Sequence, residues 1–251
     1  MKRKIGARAA KRRRAPRVVS WRATLRVVAW GTTLLASAVL VLQLWYFAHV
    51  LWWSRFDPGS TRFMRTELAR LRESDPKREL RHRWVDYERI SPNLKRAVIA
   101  SEDANFTDHD GVDWDAIEHA RERNRRKGRV VLGGSTITMQ LAKNLFLSGE
   151  RSYLRKAQEL VIAYMIETVM TKHRILELYL NVAEWGVGVF GADAGARHHY
   201  GVSAAQLDAG QAARMAAMLP RPRYYDAHPE SPALARRAAI VARWMGSVDP
   251  P

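Results

Sequence analysis

Residues Val27 to Ser54 form a run of 28 residues with no Asp, Glu, Lys or Arg. It reads VVAWGTTLLASAVLVLQLWYFAHVLWWS. A helix needs about 20 apolar residues to cross a bilayer core, so this run is long enough to span with some tilt. Trp30 lies near one end, and Trp45, Tyr46, Trp52 and Trp53 near the other, as interfacial aromatic belts require. Eleven of the first 26 residues are basic, and no acidic residue precedes Asp57. Such a bias keeps the basic side in the cytoplasm and sends the rest outward. A cleaved signal peptide has a shorter apolar core and a small-residue cleavage site, whereas this run ends in Trp52 and Trp53. Directly before a span, the basic tail fits anionic lipid rather than nucleic acid.

The expected organisation is therefore a basic cytoplasmic tail (1–26) and a transmembrane helix (27–53). A linker and start of the outer domain (54–90) and the main outer domain (91–251) follow. Subtracting the eleven basic residues from the formal charge of +17 leaves +6 for the remainder, which is only mildly basic. Cysteine is absent, which excludes disulfides, a zinc–thiolate site and a cysteine nucleophile.

Helix signals dominate the outer domain. Ser91-Pro92 is an N-cap with proline at the first helical position. Asp113 can cap a helix running toward Gly128, and Ser152 one from Tyr153 to about Met170. Ser203-x-x-Gln206 and Asp208-x-x-Gln211 resemble capping boxes. Ser231-Pro232 opens a last helix that stops near Gly246. Residues 61–73 have weaker helical spacing, and Val85 to Ile90 reads as a short extended piece. With no alternating strand pattern and no Asn-Gly hairpin signal, the expected class is all-α.

The segment AVIASEDANFTDHDGVDWDAI, residues 97–117, sets Glu102 and Asp103 side by side after an apolar helical turn. Placing carboxylates there costs free energy unless a site uses them. A second carboxylate, Glu159, lies on the helix that begins at Tyr153. At about 100° per residue, the main apolar stripe of that helix is Leu154, Ala157, Val161, Tyr164, Met165 and Thr168, and Glu159 points away from it. Ile162 and Ile166 share the Glu159 side, and LVIAYMI is apolar nearly all round, the mark of a buried helix. Glu159 is expected to be partly buried, one turn from Arg155; the alternative is a surface i, i+4 pair.

Between the two carboxylates runs GGSTITMQLAKNLF, in which Ser135 or Thr136 can cap a helix. Lys143 lies two turns along, and Arg151, Arg155 and Lys156 follow. No P-loop pattern is present. The helix start and the basic cluster together point to a phosphorylated or diphosphate ligand. RERNRRKGR (121–129) reads as a solvated loop or helix end, or as a contact for anionic lipid or substrate. His198 and His199 lack partners at metal spacing and read as structural, and His109 as a residue that shapes the loop.

These residues resemble the peptidoglycan glycosyltransferases that polymerise lipid II, glycosyltransferase family 51. EDANFTDHDG resembles the family's EDxxFxxHxG signature, and GGSTITMQLAKN its second motif. RKAQE (155–159), the stretch 172–201 and RMAAMLPRP (214–222) resemble the third to fifth. The motifs stand in family order over about residues 85–225. Met139 and Gln158 depart from the family pattern. No SxxK motif follows the fifth motif, so the resemblance is to the monofunctional enzyme without transpeptidase activity.

The resemblance implies a lysozyme-like large lobe and a smaller membrane-proximal lobe containing residues 121–131. It implies a single-pass protein of the bacterial inner membrane with a periplasmic domain. Glu102 is the implied general base, Asp103 supports its loop, and Glu159 orients basic groups or a bound cation. Lys143, Arg151 and Arg155 are assigned to the leaving diphosphate. Ser135, Thr136, Gln140 and Asn144 are assigned to the cleft lining, and Phe106, His109 and Gly111 to the loop shape. The implied partners are lipid II, undecaprenyl-diphosphate-linked glycan and the membrane, with other cell-wall synthesis or division proteins as further candidates. No cofactor is required; a divalent cation such as Mg at the diphosphate is the candidate. A lysozyme-like cleaving enzyme would need a protonated acid and no diphosphate subsite. A non-enzymatic scaffold would keep the fold without the chemistry.

Overall fold

The computed structural model describes residues 21–129, 133–147 and 152–251. They divide into two compact units, with the boundary between Trp45 and Tyr46. Helix α1 (Trp21–Trp53) begins before the expected start of the span. In the first unit Leu34, Leu35, Val41 and Leu44 of this helix are exposed. The stretch Thr24–Trp53 is long and apolar enough to cross a membrane. A row of exposed leucines on one helix needs an apolar environment, which a bilayer provides.

The second unit opens with the last turns of α1. Tyr46 and Trp53 pack on Phe146, with ring centroids 5.2 and 4.9 Å away. Arg174 fastens the helix end, donating to the Trp53 carbonyl at 3.1 Å and to Asp57 at 2.8 Å. Helix α2 (Arg62–Arg72) is capped by Thr61 and buries Met64, Glu67 and Leu71.

Strand β1 (Arg81–His82) and a 3-10 turn (Tyr87–Arg89) lead to α3 (Pro92–Glu102), which is capped by Ser91 and followed by Asp103. Helix α4 (Trp114–Lys127) is capped by Asp113 and ends at Gly128 in the left-handed region. Helices α5 (Ile137–Phe146), α6 (Tyr153–Val169) and α7 (Lys172–Val182) come next. Strands β2 (Glu184–Gly186) and β3 (Val189–Phe190) precede α8 (Ala192–Tyr200). The chain closes with α9 (Ala209–Met218), α10 (Pro222–Ala227) and α11 (Pro232–Trp244). Helix α3 packs on α9 and α11, and α5 on α2, α6 and α7. Trp185, Tyr179, Phe106 and Phe190 lie fully buried among these helices.

The class is all-α, as expected, with a small sheet that the strand reading missed. Its order is β1-β3-β2, parallel between β1 and β3 and antiparallel between β2 and β3. Strands of two or three residues are too short for alternation to show. The β2–β3 turn is Val187-Gly188, with Gly188 at φ 72 supplying the left-handed residue. Val85–Ile90 is likewise a 3-10 turn over Tyr87–Arg89 rather than an extended piece.

The stripe assigned to the helix at Tyr153 is reversed. The side chains α6 buries are Glu159, Ile162, Ala163 and Ile166, whereas Leu154, Val161 and Tyr164 are exposed. A helix that is apolar nearly all round carries no pattern that selects a face. Packing against α5 and α7 selects it instead. Residues 121–127, read as a loop or helix end, are the exposed basic half of α4. The segment 130–132 lies outside the described residues.

Candidate active site

The end of α3 and the start of α5 meet at a cleft of about 480 Å³ lined by Ser101, Glu102, Asp103, Asn105, Ser135 and Thr136, among others. Glu102, the last residue of α3, is half-buried. Its Oε2 accepts a hydrogen bond from Gln140 Nε2 at 2.8 Å, and its Oε1 one from Ser101 Oγ at 3.3 Å. Gln140 is itself oriented, because the buried Tyr179 hydroxyl donates to its Oε1 at 3.0 Å. Burial raises the Glu102 carboxyl above the usual glutamate range. The Gln140 bond, the Arg237 charge, the Ser101 bond and the Lys143 charge only partly offset this. A carboxylate short of solvent and held at a cleft is suited to proton transfer.

Asp103 faces the other way. Its Oδ1 accepts from His109 Nε2 and its Oδ2 from the Ile137 backbone N–H, each at 3.0 Å. The Gly111 N–H donates to His109 Nδ1 at 3.1 Å, which leaves the ring proton on Nε2, facing Asp103. Thr136 caps α5 and also donates to the Gly111 carbonyl at 2.6 Å. Phe106 is fully buried. Loop 103–111 is thereby pinned to the first turn of α5.

The second carboxylate lies in a cationic cluster. Glu159 is 3% exposed. Arg155 Nη1 donates to its Oε2 at 2.7 Å and Lys156 Nζ to its Oε1 at 2.5 Å. Lys156 also donates to Ser135 Oγ at 2.9 Å, which joins the cluster to the cleft wall. Arg155 Nε is buried without a hydrogen-bond partner among the described residues. Lys143 has its ammonium pushed below the usual lysine range by burial. Glu159 and Glu102 pull it up, while Arg155 and Lys156 push it down. It thus senses both carboxylates.

The structure brings together Glu102, Asp103, Gln140, Lys143, Ser135, Thr136, Arg155 and Glu159. Thr136 and Asp103 are committed to holding the loop. Asn144 is buried in α5; like Gln140, whose amide nonetheless reaches Glu102, it is not among the residues that line the cleft. Arg151 lies outside the described residues. Sequence reasoning missed the roles of Tyr179 and Lys156. Tyr179 stands in the fourth motif without a pattern of its own, and only the packing of α7 on α5 brings it to Gln140. Lys156 was visible as part of the basic run, but its partners Glu159 and Ser135 were not.

A cation at Glu159 does not fit these residues, since both carboxylate oxygens already accept from cationic groups. Among the described residues, two other groupings bring metal-ligating atoms together: Asp103, His109 and Asp113, and His198, His199 and Asp226. In the first, Asp103 and Asp113 accept backbone N–H bonds that hold helix starts. In the second, Arg81 faces His198 Nδ1 at 3.0 Å, and His198 Nε2 is 2.7 Å from Asp226. Both nitrogens of His198 are therefore occupied, in keeping with a structural tie.

The helical domain thus holds the Glu102 carboxylate at the cleft and, on α6, a cluster of Arg155, Lys156 and Glu159 that reaches the cleft wall at Ser135. The transglycosylase family model matches residues 67–246 of the chain. The biosynthetic peptidoglycan transglycosylase of Janthinobacterium sp. (strain Marseille) is 62% identical over 209 residues, 83% of this chain and 90% of that protein. The protein of the same description from Bordetella pertussis is 65% identical over 216 residues, covering 84% and 89%. That from Chromobacterium violaceum is 54% identical over 217 residues, covering 86% and 95%. The chain belongs to the transglycosylase family and is a glycosyl-transferring enzyme.

Proposed function

We propose that this enzyme polymerises lipid II into linear peptidoglycan glycan strands, in bacterial cell wall synthesis. Glu102 takes the proton from the 4-hydroxyl of the acceptor N-acetylglucosamine. That oxygen bonds to the anomeric carbon of the donor N-acetylmuramic acid on its free face. The bond to the undecaprenyl diphosphate breaks on the opposite face, so configuration inverts from α to β. Base and leaving-group stabiliser stand on opposite sides of one displacement.

Lys143, Arg155 and Lys156 carry the charge of the departing diphosphate, with Arg151 assigned there by resemblance. Glu159 fixes Arg155 and Lys156 rather than binding a metal, and no step passes through a cation. Gln140 aims Glu102, and Tyr179 aims Gln140. Asp103, His109, Phe106 and Gly111 keep the loop in place.

The observation that carries this reading is a desolvated Glu102 together with a cationic cluster in which the buried Arg155 Nε–H has no partner among the described residues. An unpaired buried donor of this kind is suited to an anion. The lysozyme-like arrangement, with α4 in a smaller membrane-proximal lobe, belongs to the same reading. So does the topology, with a cytoplasmic N-terminus, one span and a periplasmic domain. Both substrates carry long lipid tails, so an anchored active site meets them in the leaflet. Purified full-length chain incubated with labelled lipid II should yield long glycan. Untouched lipid II together with shortened pre-formed glycan would instead establish a cleaving enzyme.

A further inference from the structure

Lysine is seldom buried unless paired, and a cation in the first turn of a helix opposes the helix dipole. Lys172 goes against both tendencies. It is the first residue of α7, and its side chain is only 18% exposed. Its Nζ donates to the His109 carbonyl at 2.5 Å and to Glu167 Oε1 at 2.9 Å. The ammonium lies 4.7 Å from the centre of the Phe106 ring, within cation–π range. The same Oε1 of Glu167 also accepts from the Thr138 hydroxyl of α5 at 2.5 Å. Its stem closes on Gly111, where an added Cβ would stand 2.8 Å from Glu167 Cγ. Gly111 is at φ 86, so the loop passes here in a conformation that glycine tolerates.

One ion pair therefore grips loop 103–111 at Phe106, His109 and Gly111 and ties it to α5. The same helix carries Gln140, which holds Glu102. The His109 ring holds Asp103, the immediate neighbour of Glu102. Stability alone does not account for this choice, because apolar residues of similar volume often replace buried ion pairs without loss. An apolar pair could not donate to the His109 carbonyl and also accept from Thr138. Neither Lys172 nor Glu167 lines the cleft, and the bonds they make run to the loop, to α5 and to each other.

We propose that Lys172 and Glu167 are positioning residues for the transfer reaction: they fix loop 103–111 against α5 and so set the aim of Glu102 into the cleft. This rests on the reading of Glu102 as the base.

The test uses the full-length chain in detergent with lipid II. The double variant Lys172→Met with Glu167→Gln removes both charges, keeps the volume and leaves no lone buried charge. It should fold and lose about ten-fold or more in kcat, since misplacement by about 1 Å can cost about 10²-fold. KM should stay within about two-fold, because substrate binding is untouched. Lys172→Arg, with Glu167 intact, should recover most of kcat. A folded double variant with unchanged kcat overturns the proposal. So does a loss carried by KM, or a Lys172→Arg enzyme as slow as the double variant. If the double variant does not fold, Thr138→Val decides. It removes one bond to Glu167, and a several-fold kcat loss supports the proposal whereas none overturns it. Glu102→Gln is assayed alongside. If it polymerises, the base assignment fails. If it is inert while the double variant runs at full rate, only the positioning proposal fails.

Discussion

Replacing Asp103 by Asn should unfasten the loop beside Glu102 even though the two side chains are nearly the same size. Asp103 is 8% exposed and accepts two hydrogen bonds, from His109 Nε2 and the Ile137 N–H. Asn offers one accepting oxygen and one donating nitrogen. If the oxygen stays on Ile137, the new N–H meets the His109 Nε2–H. The ring cannot switch its proton to Nδ1, because the Gly111 N–H occupies that nitrogen. One hydrogen bond to a charged group is lost, about 1.5–3 kcal/mol, and a buried donor is left facing another, about 1–3 kcal/mol. Cleft water relieves part of the second cost, since Asp103 lines the cleft, so the expected total is about 3 kcal/mol. Urea unfolding in detergent, followed by the loss of far-ultraviolet helical circular dichroism, measures it. A double-mutant cycle with His109→Ala should give a coupling of about 1.5 kcal/mol or more. A loss below about 0.5 kcal/mol for Asp103→Asn, or no coupling, would refute the hydrogen-bond account of the loop.

Three further outcomes follow from the same geometry. The activity–pH profile should be a bell, because the base must be ionised and the leaving-group lysine charged. Its acid limb should fall above the usual glutamate range and its alkaline limb below the usual lysine range; limbs at the ordinary values would contradict the burial of both groups. Glu102→Gln should melt no lower than the parent at neutral pH. The folded-state pKa of Glu102 is raised, so its stabilising contribution is full below the unfolded value and lost as pH rises through the folded value. The variant's advantage should therefore vanish in acid, and a variant less stable at neutral pH would count against this. Tyr179→Phe removes the bond that orients Gln140, worth about 1 kcal/mol. A fall in kcat of about five-fold is expected in steady-state assays, and an unchanged kcat would remove Tyr179 from the aiming chain.

The sequence shows its helix starts more clearly than its contacts. Ser91, Asp113, Ser152 and Asp208 each cap the helix expected of them, because a cap is decided within four residues. Glu159 was legible as a buried carboxylate because Ile162 and Ile166 share its face. The full buried face of α6 was not legible, since an all-round apolar helix leaves the choice to its neighbours. The sheet was hidden for a related reason. Arg81 pairs with Val189 across more than a hundred residues, and no local pattern records such a pairing. At the site, Glu102 stood out as a charge after an apolar turn, and Lys143 as the first of a basic cluster that follows a helix start. Tyr179 did not, because its function is a single hydrogen bond to a residue on another helix.

The central claim is that Glu102 removes the acceptor proton. Labelled lipid II given to purified Glu102→Gln of the full chain, with its fold verified by melting, tests it most directly. No glycan longer than the starting unit should form, while the parent makes long strands under the same conditions. Strands of parental length and rate from Glu102→Gln would contradict the account and move the base elsewhere in the cleft.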